Sequence, residues 1–184
     1  MEKPAESARS RPFNGKVKAL KIVISSYSRT GNTRNIAARI GREFEDNIEN
    51  EVVVEEIKES GVDRGGVSGY VKAGKDALSR RRSEIITPVN NPGNFDLVVI
   101  GGPVWAWTVS PPVSTYCSDY GVEAIKVAFF CCMGGSGAKK TFSEMQKLCK
   151  KIPLEVISFK DRELKTEEII LRKKIQNFVA ACQE

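Results

Sequence analysis

The 184-residue chain contains no histidine. That absence removes Ser-His-Asp and Cys-His catalysis, most zinc sites and any imidazole acid–base step. An enzyme built from this composition has to bring in its reactive group with a cofactor. The five cysteines, Cys117, Cys131, Cys132, Cys149 and Cys182, form no C-x-x-C pair and no metal-finger spacing. Such an odd, scattered set reads as reduced thiols in a cytoplasmic protein, each serving as a small buried apolar side chain. Adjacent Cys131 and Cys132 fall in a predicted strand and should point to opposite faces. No apolar run approaches the roughly 20 residues of a membrane span. Met1 to Gly15 is polar, carries two prolines and lacks an apolar signal core, so residues 1–16 read as a flexible tail.

What is present is ordinary for a soluble domain: 41% hydrophobic and 28% charged residues, with enough length for one real core over residues 17–184. The formal net charge is +6, and Lys72, Lys75, Arg80, Arg81 and Arg82 concentrate part of it. That segment reads either as a solvated helix face or as a grip for an acidic partner protein or dinucleotide phosphates. Nucleic-acid binding lacks support, because no recognised module or aromatic-interleaved basic stripe is present.

Apolar β-rich runs alternate with helical patterns. Strands are expected at Lys18–Ser26, Glu51–Ile57, Phe95–Gly102, Lys126–Cys132 and Leu154–Phe159. The third and fourth are nearly continuous in apolar residues, as strands covered on both faces are. Ile36, Ile40, Phe44 and Ile48 form one helical stripe. Val113, Tyr116, Cys117 and Tyr120 mark another helix, Phe142, Met145, Leu148 and Cys149 a third, and Leu171, Ile175, Phe178, Val179 and Cys182 the last. A further helix is expected over Tyr70–Arg82 in the long second crossover. The βαβ order predicts an α/β fold with a five-stranded parallel sheet and helices on both faces.

Three loops at strand ends stand out. The first, Tyr27-Ser28-Arg29-Thr30-Gly31-Asn32-Thr33, joins an apolar strand to a helix start, where unpaired N–H groups and the helix dipole favour an anion. A cap and turn alone would use similar residues, but a cap needs one hydroxyl and this loop supplies three. With no lysine in it, the loop reads as a seat for a single phosphomonoester. The second, Pro103-Val104-Trp105-Ala106-Trp107, sets two large aromatics in a loop, where packing or a bound ring must cover them. The third is Met133-Gly134-Gly135-Ser136-Gly137, which lacks both the Gly-Lys-Ser/Thr of a triphosphate loop and a G-x-G-x-x-G pattern.

The first loop resembles the FMN phosphate loop of flavodoxins and flavodoxin-like quinone reductases, and Gly-x-Pro-Val-Trp with a downstream Pro-Pro-Val resembles the flavin-ring loop of one branch of that fold. The resemblance extends over residues 18 to 182 by element order. It implies a doubly wound sheet of order 2-1-3-4-5 with FMN at the switch between strands 1 and 3, flavodoxin itself being a well-known instance of that order. It implies FMN phosphate on Ser28, Arg29, Thr30, Gly31, Asn32 and Thr33, with the ring against Pro103, Val104, Trp105, Ala106 and Trp107. The backbone of Met133, Gly134, Gly135, Ser136 and Gly137 would meet its pyrimidine edge. No metal and no catalytic side chain are implied, since the flavin carries the chemistry.

A backbone carbonyl in the strand-3 loop of this family often turns toward flavin N5, usually with a glycine at the turn. This chain has none there, and a side chain at positive φ is costly. The expectation is a loop that avoids positive φ and stabilises one-electron-reduced flavin less than in dedicated carriers. The leading reading is an FMN-binding redox protein with a redox partner, an acidic one if charge decides. Alternatives are an NAD(P)H-dependent quinone or FMN reductase and a cofactor-free interaction domain. A phosphorylated receiver needs strand-end carboxylates where Ser25-Ser26 and Gly101-Gly102 stand, and no cysteine makes the Cys-x5-Arg of a phosphatase.

Overall fold

Five of the apolar runs become the parallel strands of one sheet. They are β1 (Lys21–Ser26), β2 (Glu51–Glu56), β3 (Leu97–Trp105), β5 (Val127–Met133) and β6 (Val156–Lys160). A short sixth strand, β4 (Thr108–Val109), folds back antiparallel on the end of β3. The computed structural model describes residues 19–60, 82–166 and 168–184. The expected tail over 1–16 lies outside them, as does the helix expected over Tyr70–Arg82 except for Arg82. The sheet order is β2-β1-β3-β5-β6, which is the expected 2-1-3-4-5 once the hairpin strand is set aside.

Among the described residues, five α-helices connect or cover the strands: α1 (Asn32–Glu45), α2 (Pro111–Asp119), α3 (Ala138–Cys149), α4 (Glu163–Thr166) and α5 (Glu168–Gln183). Alternate side chains of the strands go to opposite layers. Ile22, Ile24, Val99, Phe130 and Phe159 meet Ile36, Ile40 and Phe44 of α1 and Leu171, Ile175 and Phe178 of α5. Val23, Val98, Ile100 and Phe129 meet Val113 and Tyr116 of α2 and Met145 and Cys149 of α3. Burying one such side chain contributes roughly 1.5–3 kcal/mol, so both layers are needed to order the chain. The deepest phenol of the second layer is satisfied: Tyr116 Oη and Ser25 Oγ lie 2.7 Å apart. Burial raises its ionisation above the usual phenol range, opposed by the Ser25 bond. Among the described residues no helix is long and apolar enough to cross a membrane.

Two expectations need correction. Ile48 is not part of the α1 stripe but 94% exposed, because the helix stops at Glu45. Asn50 explains the stop: its Nδ2 donates to Phe44 O at 2.8 Å, while its Oδ1 accepts from Leu20 N at 3.0 Å. One amide thus closes α1 and anchors the entry to β1. Strand β3 runs three residues past the expected Gly102, since Val104 and Trp105 pair with Val109 and Thr108.

Gly101 shows how tightly β3 and β5 pack: a Cβ there would sit 2.0 Å from the buried Phe130 ring. Gly101→Ala should cost about 1–3 kcal/mol as overpacking, read as a lower midpoint in urea unfolding. Gly134→Ala, whose Cβ would find its nearest neighbour at 3.8 Å, should leave that midpoint in place.

Candidate functional site

The turn from β1 into α1 is built to leave donors exposed. Gly31, the residue before the helix, has φ 95° and no atom within 4 Å of where a Cβ would stand. Among the described residues no side chain caps α1, and its first turn carries no acid. The opening N–H groups and the positive end of the helix dipole therefore face the loop. Ser28 Oγ accepts from Gly31 N at 3.1 Å, which shapes the loop and leaves its own O–H to donate. Thr30 is exposed and Arg29 half-buried. Thr33 is buried, whereas Thr30 is exposed, so the three hydroxyls do not stand alike. Asn32 Nδ2 donates to Asp161 Oδ1 at 3.3 Å.

The second loop is a closed hairpin. Trp105 pairs with Thr108, leaving Ala106 (φ 48°) and Trp107 (φ 60°) as the two connecting residues. A two-residue connection of this kind needs positive φ at both positions, a place usually given to Asn-Gly. Each non-glycine there costs about 1–2 kcal/mol. The expectation that this loop avoids positive φ is overturned. The reason lies in what surrounds the turn. The Thr108 hydroxyl donates to Glu144 of α3, and Trp107 Nε1 donates to Ser136 Oγ at 3.1 Å.

The two tryptophans part company. Trp105 is 9% exposed and stands edge-on to Tyr27, with ring centroids 5.6 Å apart at 86°. It belongs to the core. Trp107 is 63% exposed and presents its indole outward. Pro103 and Val104 are half-buried at the base of the hairpin.

In the third loop Met133 is buried at the end of β5, while Gly134, Gly135 and Ser136 are exposed. Gly137 has φ 110°, and a Cβ on it would come within 2.7 Å of Val104 Cγ1 and 2.9 Å of Trp107 Cα. That glycine is demanded by the hairpin packed against it.

The three loops are joined to one another. Trp107 meets Ser136 across the second and third. Asp161 links the first to the third: it takes the Asn32 amide, and its own N–H donates to Met133 O at 3.0 Å. Sequence reasoning missed Asp161, although its place just after an expected strand was a usable signal. It also missed Glu144, which on an amphipathic helix reads as a solvated charge. The Tyr27 hydroxyl donates to Glu59 Oε2 at 2.8 Å, a long-range tie that no motif announces. Of the basic segment, Arg82 bonds to Ser118 Oγ at 2.6 Å and pairs with Asp119.

Cys131 and Cys132 are buried under the third loop, and burial pushes both thiols up to about 12. Cys182 behaves likewise, for the same cause.

An open-edged parallel α/β sheet with an anion-ready helix start and two further loops at the carboxyl ends of its strands defines the flavodoxin-like class. A family model described as Flavodoxin matches residues 21–179, and the chain belongs to that family. A flavoprotein from Lactobacillus acidophilus NCFM, solved in complex with FMN, is similar at 25% identity and TM-score 0.62, covering 79% of this chain and 97% of its own. Oxidised flavodoxin 2 from Bacillus cereus shares the fold at 18% identity and TM-score 0.57, covering 88% and 97%. No curated protein matches the chain.

A thiol reagent such as DTNB near neutral pH should leave all five cysteines of the native protein unreacted and titrate all five after denaturation. Rapid labelling of Cys131 or Cys132 in the native state would show that the third loop opens.

Proposed function

We propose that the chain is an FMN-binding redox protein of the flavodoxin family, passing electrons through a non-covalently held flavin. The observation that carries this is the joining of three strand-end loops around an uncapped helix start and a projecting indole. The residues present suit the parts of FMN. The phosphate fits the hydroxyls of Ser28 and Thr30 and the backbone N–H groups of Gly31, Asn32 and the buried Thr33, with Arg29 adding charge. Open space beside Gly31 leaves room for the anion. The ring fits against Trp107 rather than Trp105, which is already packed. Exposed backbone at Gly134, Gly135 and Ser136 suits the carbonyl edge of the ring.

The flavin, when bound, supplies the redox chemistry. The chain's own side chains orient it, keep water from one face and surround it with fixed dipoles. No imidazole is available to move protons, and the thiols nearby are held neutral. The formal charge of +6 favours a partner that presents an acidic face. Five free, buried cysteines suit a reducing cytoplasm.

Titration of the apoprotein with FMN and with riboflavin, followed by flavin fluorescence, tests the reading. FMN should bind far more tightly than riboflavin. Ser28→Ala should weaken FMN by about tenfold, one charge-assisted hydrogen bond, and leave riboflavin unchanged. Trp107→Ala should weaken both ligands alike, because it removes a ring contact. Failure of the wild-type protein to retain either would overturn the reading. Steady NAD(P)H consumption with a quinone would replace a carrier by a reductase.

A further inference from the structure

Glu144 is a half-buried carboxylate in the middle of α3 and lies outside the proposed cofactor contacts. Among the described residues it makes no ion pair, and its recorded partner is the Thr108 hydroxyl. A carboxylate partly withdrawn from water and matched by a neutral donor is a costly way to decorate a helix. Thr108 is itself buried and is the cross-strand partner of Trp105, directly beside the left-handed pair Ala106-Trp107. Strain of that kind persists only where surrounding contacts over-determine it. Side-chain hydrogen bonds reach the turn from outside the hairpin ladder, with Ser136 on the indole and Glu144 through Thr108.

We propose that Glu144 is the positioning residue of this hairpin, holding Thr108 so that Ala106-Trp107 stays in its left-handed turn and Trp107 keeps one orientation toward the flavin ring. Its effect on flavin rests on the FMN reading above. Its effect on Trp107 does not, and can be read in the apoprotein.

The variants are E144A, E144Q, T108V and T108S, each followed by the indole N–H signal of Trp107 in NMR and by flavin binding. E144A and T108V should speed hydrogen exchange at the Trp107 indole by about tenfold and weaken FMN and riboflavin by a common factor of about five. A common factor marks a ring-side effect, whereas a phosphate-side effect would spare riboflavin. E144Q keeps an acceptor oxygen and T108S keeps the donor, so both should restore wild-type behaviour. E144A combined with T108V should be no worse than either alone, since both remove one interaction. The proposal falls if E144A lowers thermal stability while leaving the Trp107 signal and ring affinity unchanged. It falls equally if E144Q behaves as E144A does, or if the double variant is additive. Absence of flavin binding in the wild-type protein would sink the FMN reading alone, because the apoprotein exchange rates still decide the role of Glu144.

Discussion

The site depends on how β3 ends. A central strand covered on both faces must leave the sheet, reverse and lead into α2, and it does so with only two residues between its last rungs. The reversal requires two L-residues in a backbone region that their own side chains oppose. Neither residue prefers that state, so the neighbourhood has to impose it. The imposed geometry fixes what the loop presents: one indole turned into the core and one turned out. Packing beneath the turn, a hydroxyl bonded to α3 and a glycine pressed against the chain therefore belong to the candidate site as much as the groups its loops expose.

In the proposed role the protein contributes binding and orientation, and little proton chemistry of its own. Without histidine, and with all five thiols buried, the chain offers hydroxyls, amides, backbone N–H groups and an exposed indole. Those groups suit a phosphate and a flat ring and would react with neither. The division of labour matches a family whose cofactor holds the electrons.

Much of this was readable in the chain. The order of strands and helices followed from alternating apolar runs and four-residue stripes, because burial on both faces leaves that imprint on sequence. The β1–α1 loop was legible as a strand-to-helix turn, since hydroxyls and a glycine suit such a turn, whether or not it also seats an anion. The hairpin was hidden. Ala-Trp carries none of the Asn-Gly character that announces a tight reversal, and the forces that hold it come from residues 29 and 36 positions away. Trp105 and Trp107 were both expected at the ring for the same reason: only the finished turn sends one inward and the other out. Ile48 misled because helical periodicity continues through it, whereas the helix end is set by Asn50, which belongs to the next turn. Asp161 and Glu144 were silent because a carboxylate on a surface pattern tells nothing until its partner is placed.

Gly137 gives the hairpin a history as well as a shape. The space its missing side chain leaves is filled by Val104 and by the backbone of Trp107. Positions 104, 107 and 137 therefore cannot drift independently. A lineage that acquires a side chain at 137 must first open the hairpin, and one that keeps the hairpin closed is bound to glycine there. The two loops are thus sterically a single unit.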